Sequence, residues 1–483
     1  MAGRLLRIAL APWLFATLAA AGQPSAGALD ARLKSEFAAA LRLAPASGVH
    51  VVDLESGRTV FARSANTPRI LASNTKLVTA AAALELLGPG YQFRTPVLAR
   101  GAVAGGWLRG DLAVVGGGDP NISGRLHDGD SLAVFRLWAA ELRRRGIRRV
   151  EGDVYLVHGL FEPPRVHPDW PRDQLDRWYE APVEALSFSD NAVLVRVLPG
   201  AAPGRPARVE TVPDLELFTL DNRAATTSSR RRHRVAIARV NGSNRLQIAG
   251  AVLRRAAPVE SWIAVGDPLA YFGAALREAL AEEGVAVSGE MRPLDELPAG
   301  PWRYVAEHRT DLLTTIEVTL KRSQNFYAES LLKTLGAELC GEGSWRAGLE
   351  VLAEYLDGIG IPRSGYKLAD GSGMSRGNRM SPRQITWLLA YLHGRPLGRE
   401  FIRSLSYSGE PEHNWERRLA EPPYRGNVLA KTGGLNGVST LSGYAKGRSG
   451  RLYAFSILMN GAAERWRAKR AQDRILRALI DSG

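Results

Sequence analysis

Leu71-Ala72-Ser73-Asn74-Thr75-Lys76-Leu77-Val78-Thr79-Ala80 sets a serine and a lysine three residues apart, at the head of an apolar, alanine-rich run that Gly88-Pro89-Gly90 stops. The run predicts a helix over residues 73–87, on which positions i and i+3 share a face. A serine hydroxyl is a weak nucleophile and needs a base within hydrogen-bond reach. A lysine serves as that base only when its amine is neutral, and burial or a second cation lowers its pKa. Just upstream, residues 29–43 have helical periodicity. Two β-like runs, 49–54 and 59–62, flank Glu55-Ser56-Gly57-Arg58, which reads as a hairpin.

Two further short patterns follow in order, Ser323-Gln324-Asn325 and Lys431-Thr432-Gly433. With Ser73-Asn74-Thr75-Lys76 they make S-x-x-K, S-x-N and K-T-G. The first two each arise by chance about once in a chain this long. K-T-G is rarer here, because only eight of the 63 basic residues are lysine and two of those eight fall in the two lysine-requiring motifs. The set supplies an acyl-transfer site. Ser73 is the nucleophile, Lys76 its base and Lys431 the second cation. Ser323 relays a proton to the leaving amine, and Asn325 holds a substrate amide. Lys431 and Thr432 meet a substrate carboxylate. The helix N-terminus and the strand edge at Gly434 offer N–H groups to an oxyanion.

The bulk numbers agree with a folded enzyme. At 483 residues, with 45% hydrophobic and 23% charged residues, the chain needs two or three domains. The net charge of +14 comes mostly from arginine. Its densest clusters, Arg143-Arg144-Arg145 with Arg148-Arg149 and Arg230-Arg231-Arg232-His233-Arg234, lack interleaved aromatics, so nucleic acid is not the expected partner. Arg4 and Arg7 precede an apolar stretch over 8–21, with small-residue cleavage sites ending at Ala21 or Ala28. This reads as a cleavable export signal over 1–28 and a periplasmic destination. The single cysteine, Cys340, excludes an internal disulfide and is expected as a buried core thiol. The His residues show no ligand spacing, so no metal or other cofactor is expected. Gly116-Gly117-Gly118-Asp119 lacks the Lys-Ser/Thr of a phosphate loop and reads as a turn.

Between about 95 and 302, short β-like runs alternate with Gly/Pro/Asn turns, and helical patterns return over 312–339 and 345–356. The C-terminal part reads strand (428–433), strand (438–445), strand (452–459), helix (462–480). That helix is expected to pack on the sheet, with peripheral membrane contact as the lesser alternative. The expected organisation is a signal at 1–28, one catalytic domain in two parts (29–98 and 305–483), and a β-rich insertion at 99–304 with a nested sub-domain at about 195–262.

On these motifs the chain resembles the low-molecular-mass, class C penicillin-binding D-alanyl-D-alanine carboxypeptidase/endopeptidase family that carries a large insert. The 249 residues between Ser73 and Ser323 fit that insert. So do Val115-Gly116-Gly117-Gly118-Asp119-Pro120, the segment from Tyr179 to Ser187, and Asp370-Gly371-Ser372-Gly373-Met374-Ser375-Arg376. The resemblance implies an α/β (α+β) fold of the serine β-lactamase/transpeptidase kind. That fold is a three-layer sandwich with a five-stranded antiparallel sheet, interrupted by inserted β-rich domains. It implies serine-type hydrolysis of peptidoglycan stem peptides or cross-links, with β-lactam antibiotics as covalent inhibitors and no cofactor. It also implies Arg376 as partner of a diaminopimelate carboxylate. Trp170, Asp173 and Tyr179 would reach the cleft, with Asp173 meeting the distal ammonium. Two departures stand out. Gly434 stands where the family usually has Thr or Ser, and Glu184 replaces a small polar residue on the insert side. A β-lactamase, and a penicillin-binding scaffold that no longer turns over, remain as alternatives.

Overall fold

The structure, a computed structural model, describes residues 26–412 and 415–483. All but the last three residues of the expected signal lie outside the described residues. Its centre is an antiparallel sheet in the order Ser406–Tyr407, Val428–Leu435, Val438–Lys446, Leu452–Asn460, Ala46–Asp53, Thr59–Arg63. Five of these are the expected long strands. The sixth is a two-residue strip that pairs only with Leu429 and Ala430, so the K-T-G strand runs from Lys431 onward along an open edge.

Both faces of the sheet are covered. Ala468, Ala471, Ile475, Leu476 and Leu479 recur at helical spacing on Arg465–Ser482 and pack, with Leu33 and Phe37 of Ala26–Leu43, against Val49, Val51, Val428, Ala430 and Phe455. The C-terminal helix therefore lies on the sheet. The opposite face carries Thr75–Leu87 and Pro382–His393, with Asn325–Cys340 behind them. Among the described residues no helix is long and apolar enough to cross a membrane.

The chain leaves this body along Gln92–Ala104 and returns along Arg303–Asp311, two strands paired antiparallel from Gln92↔Asp311 to Ala99↔Arg303. These two strands belong to a seven-stranded mixed sheet, and between them in the chain lie its other five strands, two three-stranded sheets and the helices Ala133–Arg144 and Pro268–Glu282, with their own core around Phe135, Trp138, Phe188, Tyr271 and Phe272. The arginine clusters are ordinary surface: Arg144 and Arg145 pair with Glu141, and Arg143 with Glu283.

Three local expectations change. The helical pattern over 312–339 is two helices, Leu312–Lys321 and Asn325–Cys340, broken where Ser323 takes a left-handed φ of 58°. The helix predicted from Ser73 begins with a 3-10 turn, Ala72–Asn74, before Thr75–Leu87. Cys340 is exposed, not buried: it is the last residue of its helix, one turn past the core, and Leu339 beside it is also exposed. The triple glycine is a packed connection, as read. A side chain at Gly117 would strike the Arg94 carbonyl, and Gly118 has φ 70°.

Candidate active site

Ser73 sits on the 3-10 turn that leads into Thr75–Leu87, one residue after Ala72, whose φ is 47°. A non-glycine residue held in the left-handed region is unusual and is commonly found at functional sites. Packing holds the turn in place. Thr75 Oγ1 donates to the Ala72 carbonyl (3.0 Å), and Thr440 Oγ1 donates to the Leu71 carbonyl (2.8 Å). Asn74 joins turn to sheet: its Nδ2 donates to the Lys431 carbonyl (2.8 Å) and its Oδ1 accepts from Ser442 Oγ (2.8 Å). Gly433 has to be a glycine, because a Cβ there would lie 2.9 Å from the Ser73 nitrogen and 2.2 Å from Thr440 Oγ1. Thus the K-T-G strand and the nucleophile turn are in backbone contact.

Lys76 is fully buried, and Ser73 is partly accessible. Lys76 Nζ lies 3.2 Å from Ser73 Oγ, 2.7 Å from Asn325 Oδ1 and 2.8 Å from the Ser372 carbonyl oxygen. The amide oxygen of Asn325 must face Lys76, since its Nδ2 donates to the Tyr179 carbonyl (2.8 Å). Both fixed neighbours are pure acceptors. A neutral amine has two hydrogens, so these acceptors take both and leave the lone pair toward Ser73. Burial brings the Lys76 pKa down to about 7, against the opposing pull of the Glu329 and Asp370 carboxylates. The second cation acts otherwise than expected: Lys431, also buried, is itself pushed well below the usual lysine range by burial and by Lys76.

Two carboxylates hold this floor. Glu329 stands one helical turn after Asn325 and accepts from the N–H groups of Gly371 (2.9 Å) and Ser372 (2.8 Å) and from Trp345 Nε1 (2.8 Å). It thereby fixes the Ser372 carbonyl that Lys76 uses. Asp370 accepts from the N–H groups of Gly373 (2.7 Å) and Ser375 (2.5 Å), from Asn378 Nδ2 (2.8 Å) and from Trp170 Nε1 (3.1 Å). Glu329, raised to about 7 by burial and by Asp370, had no motif to announce it. Its i+4 spacing from Asn325 was the available signal.

The structure brings Ser73, Lys76, Asn325 and Lys431 together. Ser323 lies two residues from Asn325 at the head of the same helix, partly exposed, and its hydroxyl makes no hydrogen bond among the described residues. The Asn325 amide oxygen is taken by Lys76 and one of its two N–H donors by the Tyr179 carbonyl, which leaves the second N–H to hold a substrate amide. Lys431 Nζ donates to the Thr432 carbonyl (2.9 Å). Thr432 and Gly434 are partly exposed on the open edge.

Two residues from the excursion between Gln92 and Asp311 reach this cleft, Trp170 at Asp370 and Tyr179 at Asn325. Asp173 lies between them in sequence, exposed and near enough to Glu180 to help raise its pKa. Arg376 is exposed, with Nη1 donating to the Asn436 carbonyl (2.9 Å) at the turn after the K-T-G strand. Glu184 does not face the cleft. It is buried, pairs with Arg165 (2.5 Å) and accepts from the Ala185 N–H. Among the described residues no group of His, Cys, Asp or Glu is arranged to hold a metal ion.

Residues 26–479 match the D-Ala-D-Ala carboxypeptidase 3 (S13) family. The chain is 37% identical over 429 residues to a D-alanyl-D-alanine carboxypeptidase of Actinomadura sp. (strain R39), covering 86% of this chain and 78% of that one. Its fold is similar to that of penicillin binding protein 4 from Haemophilus influenzae, with a TM-score of 0.79 and 24% identity over 91% of this chain and 97% of the other. The same protein complexed with a β-lactam matches with a TM-score of 0.75 and 23% identity, over 92% and 99%. With the match spanning nearly every described residue, the chain belongs to the D-Ala-D-Ala carboxypeptidase 3 (S13) family.

Proposed function

We propose that the protein is a serine-type D-alanyl-D-alanine peptidase that hydrolyses peptidoglycan stem peptides or cross-links through an acyl-enzyme on Ser73 and is inhibited covalently by penicillins. The observation that carries this reading is the Lys76 amine, 3.2 Å from Ser73 Oγ with its two hydrogens engaged elsewhere.

In this reading Ser73 Oγ attacks the carbonyl carbon of the scissile D-Ala-D-Ala bond while Lys76 takes the hydroxyl proton. The oxyanion receives the N–H groups of Ser73 and Gly434. The C–N bond breaks, the departing amine is protonated through Ser323, and water releases the acyl group to restore the Ser73 hydroxyl. Lys431 and Thr432 attract the peptide's terminal carboxylate. Arg376 and Asp173 read the carboxylate and ammonium of a diaminopimelate side chain. Residues 99–304 form an insertion, with a sub-domain nested at about 195–262, that supplies the Asp173 side of the cleft. An export signal over 1–28 delivers the enzyme to the periplasm.

The test combines a fluorescent penicillin with muropeptide digestion followed by mass. Expected are covalent labelling of the wild type and, from a pentapeptide, release of the terminal D-Ala to leave a tetrapeptide lighter by one alanyl residue. Labelling without peptide cleavage would instead establish the scaffold reading, and rapid penicillin turnover the β-lactamase reading.

A further inference from the structure

Residue 434, next to the K-T-G triplet on the open strand edge, is a glycine, and the structure shows what stands over it. A Cβ on Gly434 would lie 2.6 Å from Arg465 Nη2, 3.0 Å from its Cζ and 3.2 Å from its Nε. The guanidinium occupies the volume that a side chain at 434 would take. It comes from the first residue of the C-terminal helix, on the far side of the sheet from Ser73's helix.

Strand alternation identifies the face. Val428 and Ala430 are buried against the core of the C-terminal helix, so Thr432 and Gly434, two and four residues on, point the same way. Lys431 and Gly433 point to the nucleophile side, where a Gly433 Cβ would meet the Ser73 nitrogen. Arg465 therefore lies on the strand face that Gly434 shares with Thr432. It is exposed and makes no ion pair among the described residues. The acids nearest in sequence are taken: Glu464 pairs with Arg467, and Asp473 with Arg418. Lys469, one turn along the helix, has its pKa lowered by burial, by Arg418 and by Arg465, against the opposing pull of Asp473.

We propose that Arg465 is a carboxylate-binding residue of the substrate site, its guanidinium filling the space over Gly434 and, with Thr432, receiving the terminal carboxylate of the peptide and the carboxylate of a penicillin. A guanidinium presents two parallel N–H donors in a plane that matches a carboxylate, and its charge makes those bonds stronger than one from a neutral hydroxyl. The assignment rests on the proposed Ser73 acyl-transfer reading and adds to it the identity of the anion anchor.

The test uses the full-length protein and two peptides, one ending in D-Ala-D-Ala and the same one as its C-terminal amide. Arg465→Ala is expected to lower kcat/KM for the acid about 10- to 100-fold and for the amide by about twofold or less. Arg465→Lys falls between, and adding Gly434→Thr to Arg465→Ala restores part of the loss on the acid. Acylation by benzylpenicillin against its methyl ester gives the same comparison independently of peptide turnover. An equal loss on acid and amide, or no loss on either, overturns the assignment. Failure of the underlying reading shows itself separately, in an unmutated protein that no penicillin labels at Ser73.

Discussion

The floor of the cleft and its rim are built on opposite terms. On the floor, Lys76, Asn325, Glu329, Ser372 and Asp370 are buried, and each has fixed hydrogen-bond partners at 2.5 to 3.3 Å. On the rim, Asp173, Arg376 and Arg465 are exposed, and Thr432 and Gly434 partly so. Burial converts small changes of position or charge into large energies, because a low-dielectric setting strengthens each contact and penalises each unpaired group. Exposed charges are screened and act mainly through their number and shape. The contrast separates the two tasks of such an enzyme: the floor sets how fast a bond is broken, and the rim sets which chain ends are presented.

Mutations probe that separation in decreasing order of effect. Ser73→Ala removes the attacking atom, so covalent labelling by a fluorescent penicillin should vanish; labelling at an equal rate would move the nucleophile elsewhere. Lys76→Ala leaves Ser73 without its base and should slow acylation about 10²- to 10⁴-fold in stopped-flow measurements. An unchanged rate would assign proton removal to another group.

Glu329→Gln goes deeper into the floor and should cost about 10- to 100-fold in acylation, the scale of a hydrogen bond to a buried charge. It has a second readout. Acylation needs the neutral amine, so the wild-type rate should rise with pH through about 7, the Lys76 value. The Glu329 carboxylate raises that value, so its removal should move the rise to lower pH. A loss of rate with an unmoved midpoint would leave Glu329 a purely geometric part. At the rim, Asp173→Asn and Arg376→Ala should change KM for a diaminopimelate peptide only about two- to fivefold, leaving penicillin acylation as it was. Losses there as large as those on the floor would erase the distinction between the two regions.

The sequence made the local half of this legible. Ser73 and Lys76 are three residues apart, the strands and helices at both ends carry clear periodicity, and the order of the three motifs identified the catalytic body. What escaped it depended on contacts across the fold. Glu329 lies in a helix whose residues 325–336 are all buried, and only the loop at 370–375 and Trp345 packing onto that helix give its carboxylate something to hold. The absence of a hydroxyl at Gly434 was visible, but Arg465, 31 positions later on another element, was not. Cys340 was misjudged because periodicity says which face a residue is on, and nothing about where along the axis the core ends.

Ala46–Asp53 is an interior strand of the sheet, paired on one side with Thr59–Arg63 and on the other with Leu452–Asn460. The second partner of this early strand is made some four hundred residues later, so the sheet closes only when nearly all of the chain has emerged. Until then the turn bearing residue 73 has no K-T-G strand against it. A chain cut short anywhere before residue 428 should therefore be inert toward penicillin even though it already contains both the S-x-x-K and S-x-N segments, and a growing chain is catalytically silent until its synthesis is almost done.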